Sequence, residues 1–552
     1  MALLRGEVRA GMGCVLELSE LKLPVDHEDG ALAPAAARAM GMGPEEVLGL
    51  TVYRRAIDAR HGRATFNYTL HVAVTDEERA LAGFLAAECK LTRLVERRYA
   101  GLDGVVVRER APEMRPVVVG TGPCGLFCAL LLARHGWKPV VLERGKAAGP
   151  RARDVTGFWR RGLAFDAESN VQFGEGGAGT FSDGKLYTQI RDREHRIRWI
   201  LDEMVRAGAP ADILVKARPH IGTDRLITVV RRIREEIVAC GGEVRFETMM
   251  EEVLLNAAGG VRGVRLRDGT EIETDRVVLA VGHSARPTFE MLHRVGVYME
   301  PKPLSIGVRV EHPQAWIDRT QYGKLAGHAK LGAAPYKFVH HSRTGGRTAY
   351  SFCMCPGGLV VAASSEPGTV VTNGMSSYAR AEANANAGFM VDVSPADYGG
   401  VGPLAGIAFQ REWERRAFVE GGGNYHAPVQ TIGDFLAGRA SRELGGVVPS
   451  YEPGVTPGDL RSCLPTWVAA TLKEAIPAID RTLRGFAHPE ALLVAVETRS
   501  SSPLRVTRDP DRLESVSTAG LYPAGEGAGY AGGIISAAVD GMRVAEVLLR
   551  QG

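Results

Sequence analysis

Three glycines, Gly120, Gly122 and Gly125, stand in the stretch VVVGTGPCGLFCALLLARHGWKPVVLERG, residues 117–145. Spaced G-x-G-x-x-G, they could line a floor for a pyrophosphate: the first permits a tight turn, the second lets main chain approach the phosphates, and the third lets a helix pack close to a sheet. The spacing alone is weak in a chain with 67 glycines. Its flanks decide. Val117-Val118-Val119 reads as a buried strand, residues 124–135 as an apolar helix, and residues 139–142 as a second strand that ends in Glu143. This is a complete β-α-β unit. The helix N-terminus, with Pro123 and Cys124 in its first turn, would turn free N–H groups and a positive dipole end toward the phosphates. Glu143, 23 positions after Gly120, stands where an acceptor for ribose hydroxyls belongs, with Arg144 beside it. An acid there disfavours the 2′-phosphate of NADP.

Further cofactor-like segments extend over almost the whole remaining length, a pattern that favours FAD over a nicotinamide dinucleotide. NVQFGEGGAGTFSDGKL, residues 170–186, brings Gly176, Gly177 and Gly179 where main chain can run against a ligand, with Thr180, Ser182, Gly184 and Lys185 following. EIETDRVVLAVG, residues 271–282, reads as a strand closing in Ala280-Val281-Gly282. GLYPAGEGAGYAGGIISAAVDGMR, residues 520–543, offers Gly525 and Glu526 at a strand end, then Gly532, Gly533 and Ile534 at the start of a helix.

These segments, in this order, resemble the FAD-binding superfamily typified by glutathione reductase, in its branch with a discontinuous FAD domain and an inserted substrate domain. More narrowly, GEGGAGTFSDGKL, RPHIGTD, AVGHSA, FCMCPGG, ETRSSSP and GLYPAGEGAGYAGG resemble a bacterial FAD-dependent dehydrogenase family with an extra N-terminal α+β domain. The resemblance implies non-covalent FAD, with Gly120, Gly122 and Gly125 at the pyrophosphate and Glu143 at the adenosine ribose. It also implies Glu526 in a ribityl role more often filled by aspartate, and a helix after Gly533 aimed at the flavin pyrimidine. A positive dipole end there would stabilise anionic reduced flavin.

Four residues are candidates for the chemistry itself. Cys353 and Cys355, at i and i+2 of a strand, would point the same way, but without the CxxC spacing of flavin disulfide reductases. Arg499, beside three serines in VETRSSSP, could hold a carboxylate or phosphate, or pair with Glu497 or another acid. His220, before a helix N-capped by Thr223, could donate a proton or serve as a buried capping histidine.

The elements that must position these residues imply an α/β fold. A discontinuous Rossmann-like FAD-binding domain (113–301 and 487–552) would carry an inserted α+β substrate domain (302–486) and a small ferredoxin-like α+β domain (1–112). In that last unit residues 64–74 alternate strictly, with Phe66, Tyr68, Leu70, Val72 and Val74 on one face. Thr75 reads as the N-cap of the following helix. With 67 basic and 64 acidic side chains the net charge is only +3, which predicts no strong field for nucleic acid or an acidic membrane. Eight dispersed cysteines suit a reducing cytoplasm, and the longest apolar run falls far short of a membrane span. No HExxH, GxSxG or Walker loop occurs. The expected activity is hydride transfer between a small-molecule substrate and FAD, with electrons exchanged with a transiently docked NADH or NADPH, oxygen or a protein carrier. An oxygen-using monooxygenase or oxidase and an RNA-directed flavoprotein are the alternatives.

Overall fold

A computed structural model describes residues 14–59, 64–84, 86–105 and 114–551. The expected junction between residues 112 and 113 lies outside the described residues.

The N-terminal unit runs β-α-β-β-α-β. Its antiparallel sheet is ordered Val47–Asp58, Thr65–Val74, Cys14–Pro24, Lys90–Arg93, the ferredoxin-like arrangement. The alternation in the central strand is realised, with Phe66, Tyr68, Leu70, Val72 and Val74 all buried. The cap of the next helix is one residue later than expected: Asp76, not Thr75, accepts from the Arg79 N–H at 3.0 Å. A carboxylate is the stronger acceptor for these orphan donors and also suits the dipole.

The dinucleotide unit is a five-stranded parallel sheet in the order Leu521–Pro523, Val277–Leu279, Val117–Val119, Val140–Leu142, Glu243–Arg245. Strands covered on both faces are apolar throughout, which explains the Val-Val-Val run. Val118, Val141 and Val278 face a core built around the helices Pro123–Arg134, Thr223–Ala239 and Ile534–Gln551. Val117, Val119, Val140, Leu142, Val277 and Leu279 face the opposite layer. That layer includes an antiparallel three-stranded sheet (Met250–Leu255, Val261–Leu266, Glu271–Glu273) and the helix Arg286–Arg294. Pro123–Arg134 and Ile534–Gln551 are held close at Gly541, where a Cβ would run into the Cys124 carbonyl. Residues at both N-termini, Gly122 to Cys124 and Gly533 to Ile534, line the same cavity.

The inserted unit is a seven-stranded sheet, ordered Val339–His341, Thr348–Cys355, Asn384–Val393, Leu304–Pro313, Leu492–Glu497, Ala427–Thr431, Val455–Pro457. The boundary expected at 487 moves accordingly. Leu492–Glu497 is a wholly buried strand paired on both sides within this sheet, so the chain returns to the dinucleotide unit only after Arg499. Met299–Pro301 and Leu504–Val506 pair antiparallel, tying the outgoing and returning crossings together.

Candidate functional site

The two sheets and both helix N-termini enclose one cavity of about 460 Å³, within the range of small-molecule and cofactor sites. Its floor is bare main chain. Gly120 has φ +104°, and a Cβ there would collide with the Ala280 carbonyl. A Cβ on Gly122 would instead project into open space, its nearest neighbour being Gly177 Cα at 3.9 Å. Gly282 and Gly532 likewise face open space. Such a cradle admits a pyrophosphate and would be filled by side chains, so the residues present fit a dinucleotide.

Sixteen of the expected cofactor residues line this cavity: Gly120, Gly122, Pro123, Cys124, Glu143, Arg144, Gly177, Ser182, Gly184, Lys185, Ala280, Gly282, Glu526, Gly532, Gly533 and Ile534. Gly125, Gly176, Thr180 and Gly525 do not. Gly125 lies against the Gly120 carbonyl and Ala280, Gly176 against the Thr180 hydroxyl, and Gly525 against Cys124. Their small size shapes the loops one layer behind the wall.

Glu143 is 5% exposed and fully engaged. Oε2 accepts from Thr121 N–H at 3.0 Å and Thr121 Oγ1 at 2.6 Å, and Oε1 accepts from Gly145 N–H and Gly174 N–H, both at 2.9 Å. A carboxylate offers about four lone-pair sites, so protein donors occupy them all. Its observed work is to lock three loops around the floor, and a ribose hydroxyl would have to share an oxygen. Arg144 has capacity left. Its Nε donates to Glu168 at 2.8 Å and its guanidinium lies 3.9 Å from the Phe173 ring centre, while Nη1 is buried without a partner.

Glu526 faces the cavity. Burial pushes its carboxyl up to about 7, with Lys302 the opposing cation. Lys185 sits 2.9 Å from Asp183, which also binds Arg380. Burial disfavours its charge, but Asp183 outweighs that and raises the ammonium's pKa.

The chemical candidates divide. Cys353 and Cys355 line the cavity, but the expected common direction of their side chains is broken by a register shift between Phe352 and Cys355. Cys353 has φ +39°, and the Cys355 thiol donates to the Cys353 carbonyl at 3.2 Å. Burial pushes the Cys353 thiol up to about 11 against the pull of Lys185 and Arg309, so a thiolate is scarce at neutral pH.

Arg499 lines the cavity too, yet its charge is already matched. It binds Glu414, with Ser284 and Ser365 on Nη1. Arg286 binds the same carboxylate from the other side, with Nη2 to Oε1 at 2.8 Å. Glu497 instead pairs with the fully buried Arg309.

His220 is not among the cavity residues, which corrects its expected catalytic place. Its Nε2 engages the Tyr378 carbonyl at 3.0 Å and its ring stacks on Tyr378 at 5.5 Å. Burial and the nearby Arg380 lower its pKa to about 4. Nor does Thr223 cap the next helix. Gly222 occupies that position at φ +74°, where a Cβ would strike the main chain of Ser377 and Tyr378, and Thr223 Oγ1 donates to the Thr180 carbonyl.

Among the cavity residues that the sequence reading did not single out are His283 and Asn373. His283 was within the quoted AVGHSA, and its place after the strand-end Gly282 was the available signal. Asn373 carried none, because its position depends on accepting from Arg309 Nη2 at 2.8 Å, across 64 residues.

Comparison with known proteins agrees with this layout. A family described as "FAD-dependent protein, C-terminal domain-like" matches residues 303–500, and an "NAD(P)-binding Rossmann-like domain" matches 118–176. A domain of unknown function matches 16–73. The chain is 44% identical over 537 residues to a Clostridium beijerinckii protein named "Uncharacterized protein", covering 97% of this chain and 99% of that one. It is 29% identical over 178 residues to "Protein FixC" of Azorhizobium caulinodans, covering 30% and 36% of the two chains. Among solved structures, L-proline dehydrogenase from P. horikoshii matches at 13% identity and a TM-score of 0.33, covering 79% of this chain and 94% of the other. No helix among the described residues is long and apolar enough to cross a membrane. The identity to the Clostridium beijerinckii protein over nearly both whole chains places the two in one family, the FAD-dependent model matches the inserted unit of this chain, and its cofactor is FAD.

Proposed function

We propose that this protein is a dehydrogenase or reductase in which a small organic substrate is held between the inserted sheet and bound FAD. One observation carries the reading. The same cavity that has the glycine floor on one side has Phe352, Cys353, Asn373 and Ser500 of the inserted unit on the other. When bound, FAD supplies hydride-equivalent transfer.

The chain's own residues bind, orient and exclude water. Gly120, Gly122 and Gly177 bring main chain to the pyrophosphate position, and the helix N-termini at Gly122 and Gly533 offer N–H donors. The Arg286–Glu414–Arg499 cluster, with Glu366 as a second acid on Arg286, fixes the wall where the inserted unit returns to the dinucleotide unit, and its two acids against two cations favour a substrate without a strong negative charge there. The register shift that leaves Cys353 exposed and Cys355 buried against the Cys353 carbonyl supports a thiol wall and speaks against a dithiol relay. The electron partner is proposed to be a nicotinamide that docks transiently, since the sequence carries only one strong Rossmann fingerprint, the strand–glycine turn–helix of residues 117–135.

Anaerobic titration with NADH and NADPH tests this reading. Bleaching of the flavin by either, with slow reoxidation in air, is the expected result. No bleaching by either, together with fast oxygen consumption in the presence of an organic substrate, would replace it with an oxygen-using flavoenzyme.

A further inference from the structure

His283 follows Gly282 at the carboxyl end of the sheet and lines the cavity. Its Nδ1 lies 3.0 Å from Ser284 Oγ. The same hydroxyl is 2.9 Å from Arg499 Nη1 and 3.2 Å from Gln172 Oε1. The proton positions follow from which groups can only donate and which can only accept. Gln172 Nε2 donates to the Ala363 carbonyl at 3.1 Å, which turns Oε1 toward Ser284. Guanidinium can only donate and an amide oxygen can only accept. Ser284 therefore accepts from Arg499 and spends its single hydrogen on Gln172. Its remaining lone pair faces His283, so Nδ1 must carry the imidazole hydrogen.

Nε2 is then a bare lone pair, and no described residue bonds to it. It opens toward the cavity that His283 lines. The ring stays neutral. Burial lowers its pKa to about 3, helped by the cations of Arg499 and Arg286 and opposed by Glu414. A neutral acceptor without a protein donor, at the strand end beside the dinucleotide floor, calls for a ligand that donates. FAD carries hydroxyl and N–H donors along its length.

We infer that Arg499 and Gln172, acting through Ser284, fix His283 as the Nδ1–H tautomer so that its Nε2 accepts a hydrogen bond from an O–H or N–H group of bound FAD. Arg499 is in this account a positioning residue, and its effect on the ligand passes through His283.

Histidine 15N spectra of the full-length apoprotein, with the His283 signals assigned by loss in H283Q, test it directly. An unprotonated Nε2 that shifts toward the hydrogen-bonded range on FAD addition is expected, and S284A should release the fixed tautomer. FAD affinity should fall roughly tenfold in H283L, a net loss of one hydrogen bond. It should fall less in H283Q, whose Oε1 can take the place of Nε2. A protonated Nε2 in the apoprotein overturns the inference. So does wild-type protein that takes up FAD with its His283 signal unmoved, a result that leaves the cofactor assignment standing. H283Q that keeps the wild-type Tm and binds FAD no better than H283L also overturns it.

Discussion

Arg499 grips Glu414 with two parallel hydrogen bonds, Nε to Oε1 at 3.1 Å and Nη2 to Oε2 at 3.0 Å. Glu414 rises from the helix Ala405–Glu420 of the inserted unit, and Arg286, its second partner, belongs to the dinucleotide unit. The carboxylate thus fastens the two units beside the cavity. Its pKa is held well below the usual carboxylate range, the two guanidiniums outweighing the cost of burial. Glu414→Gln strands the buried Arg499 and leaves Arg286 with Glu366 as its one acid partner, and removing one partner of a buried pair costs roughly 3–5 kcal/mol. Urea unfolding should show this loss at neutral pH. An unchanged midpoint would mean that the cluster is relaxed by water.

Gly120 and Gly122 should separate folding from binding. Gly120→Ala forces a Cβ into the Ala280 carbonyl at φ +104°, so both Tm and flavin content should fall. Gly122→Val meets open space, so the apoprotein should unfold at about the wild-type temperature while FAD uptake is lost. Calorimetry and bound-flavin absorbance distinguish the two variants.

Glu526 makes the apoprotein's stability pH-dependent. Its folded pKa, about 7, lies above the ordinary value of 4.5. The folded state therefore binds more protons between these limits. The associated stability is full below about 4.5 and is lost as pH rises through about 7, on the order of 2 kcal/mol after allowing for contact with cavity water. Glu526→Gln should flatten that part of the profile in denaturant titrations from pH 4.5 to 8. A wild-type slope in the variant contradicts the assignment.

Cys353 and Cys355 should take no electrons. The Cys355 thiol is buried and committed to the Cys353 carbonyl, while the Cys353 side chain is exposed to the open cavity. Anaerobic dithionite titration should therefore end at two electrons per flavin, in wild type and in Cys353→Ser alike. Four electrons per flavin would reveal a disulfide.

His220→Gln should leave the flavin spectrum and its reduction unchanged. His220→Leu, which removes the bond to the Tyr378 carbonyl, should cost about 1–2 kcal/mol of stability, whereas Gln can keep a donor there.

The dinucleotide unit was legible because its signals are local. A strand, a glycine turn, a helix and a terminal acid follow one another within 29 residues, and each has one physical reading. The alternation from Phe66 to Val74 was legible for the same reason. Arg499 was found as a residue but not in its role, because its partner Glu414 lies 85 positions away and nothing near Arg499 announces it. His220 misled in the opposite way. A histidine beside a glycine turn looks chemical, yet the turn serves to bring residues 220–222 against Tyr378. The inserted sheet was the least legible, since its seven strands order themselves by pairings that only the folded chain displays, and Leu492–Glu497 joins them across nearly two hundred residues.

The visible absorption spectrum of the purified protein tests the central claim most directly. FAD held on the floor formed by Gly120, Gly122 and Gly177 predicts flavin bands in the blue and near-ultraviolet, with about one FAD per chain released on denaturation. A colourless protein that regains no such bands when incubated with FAD would contradict the account.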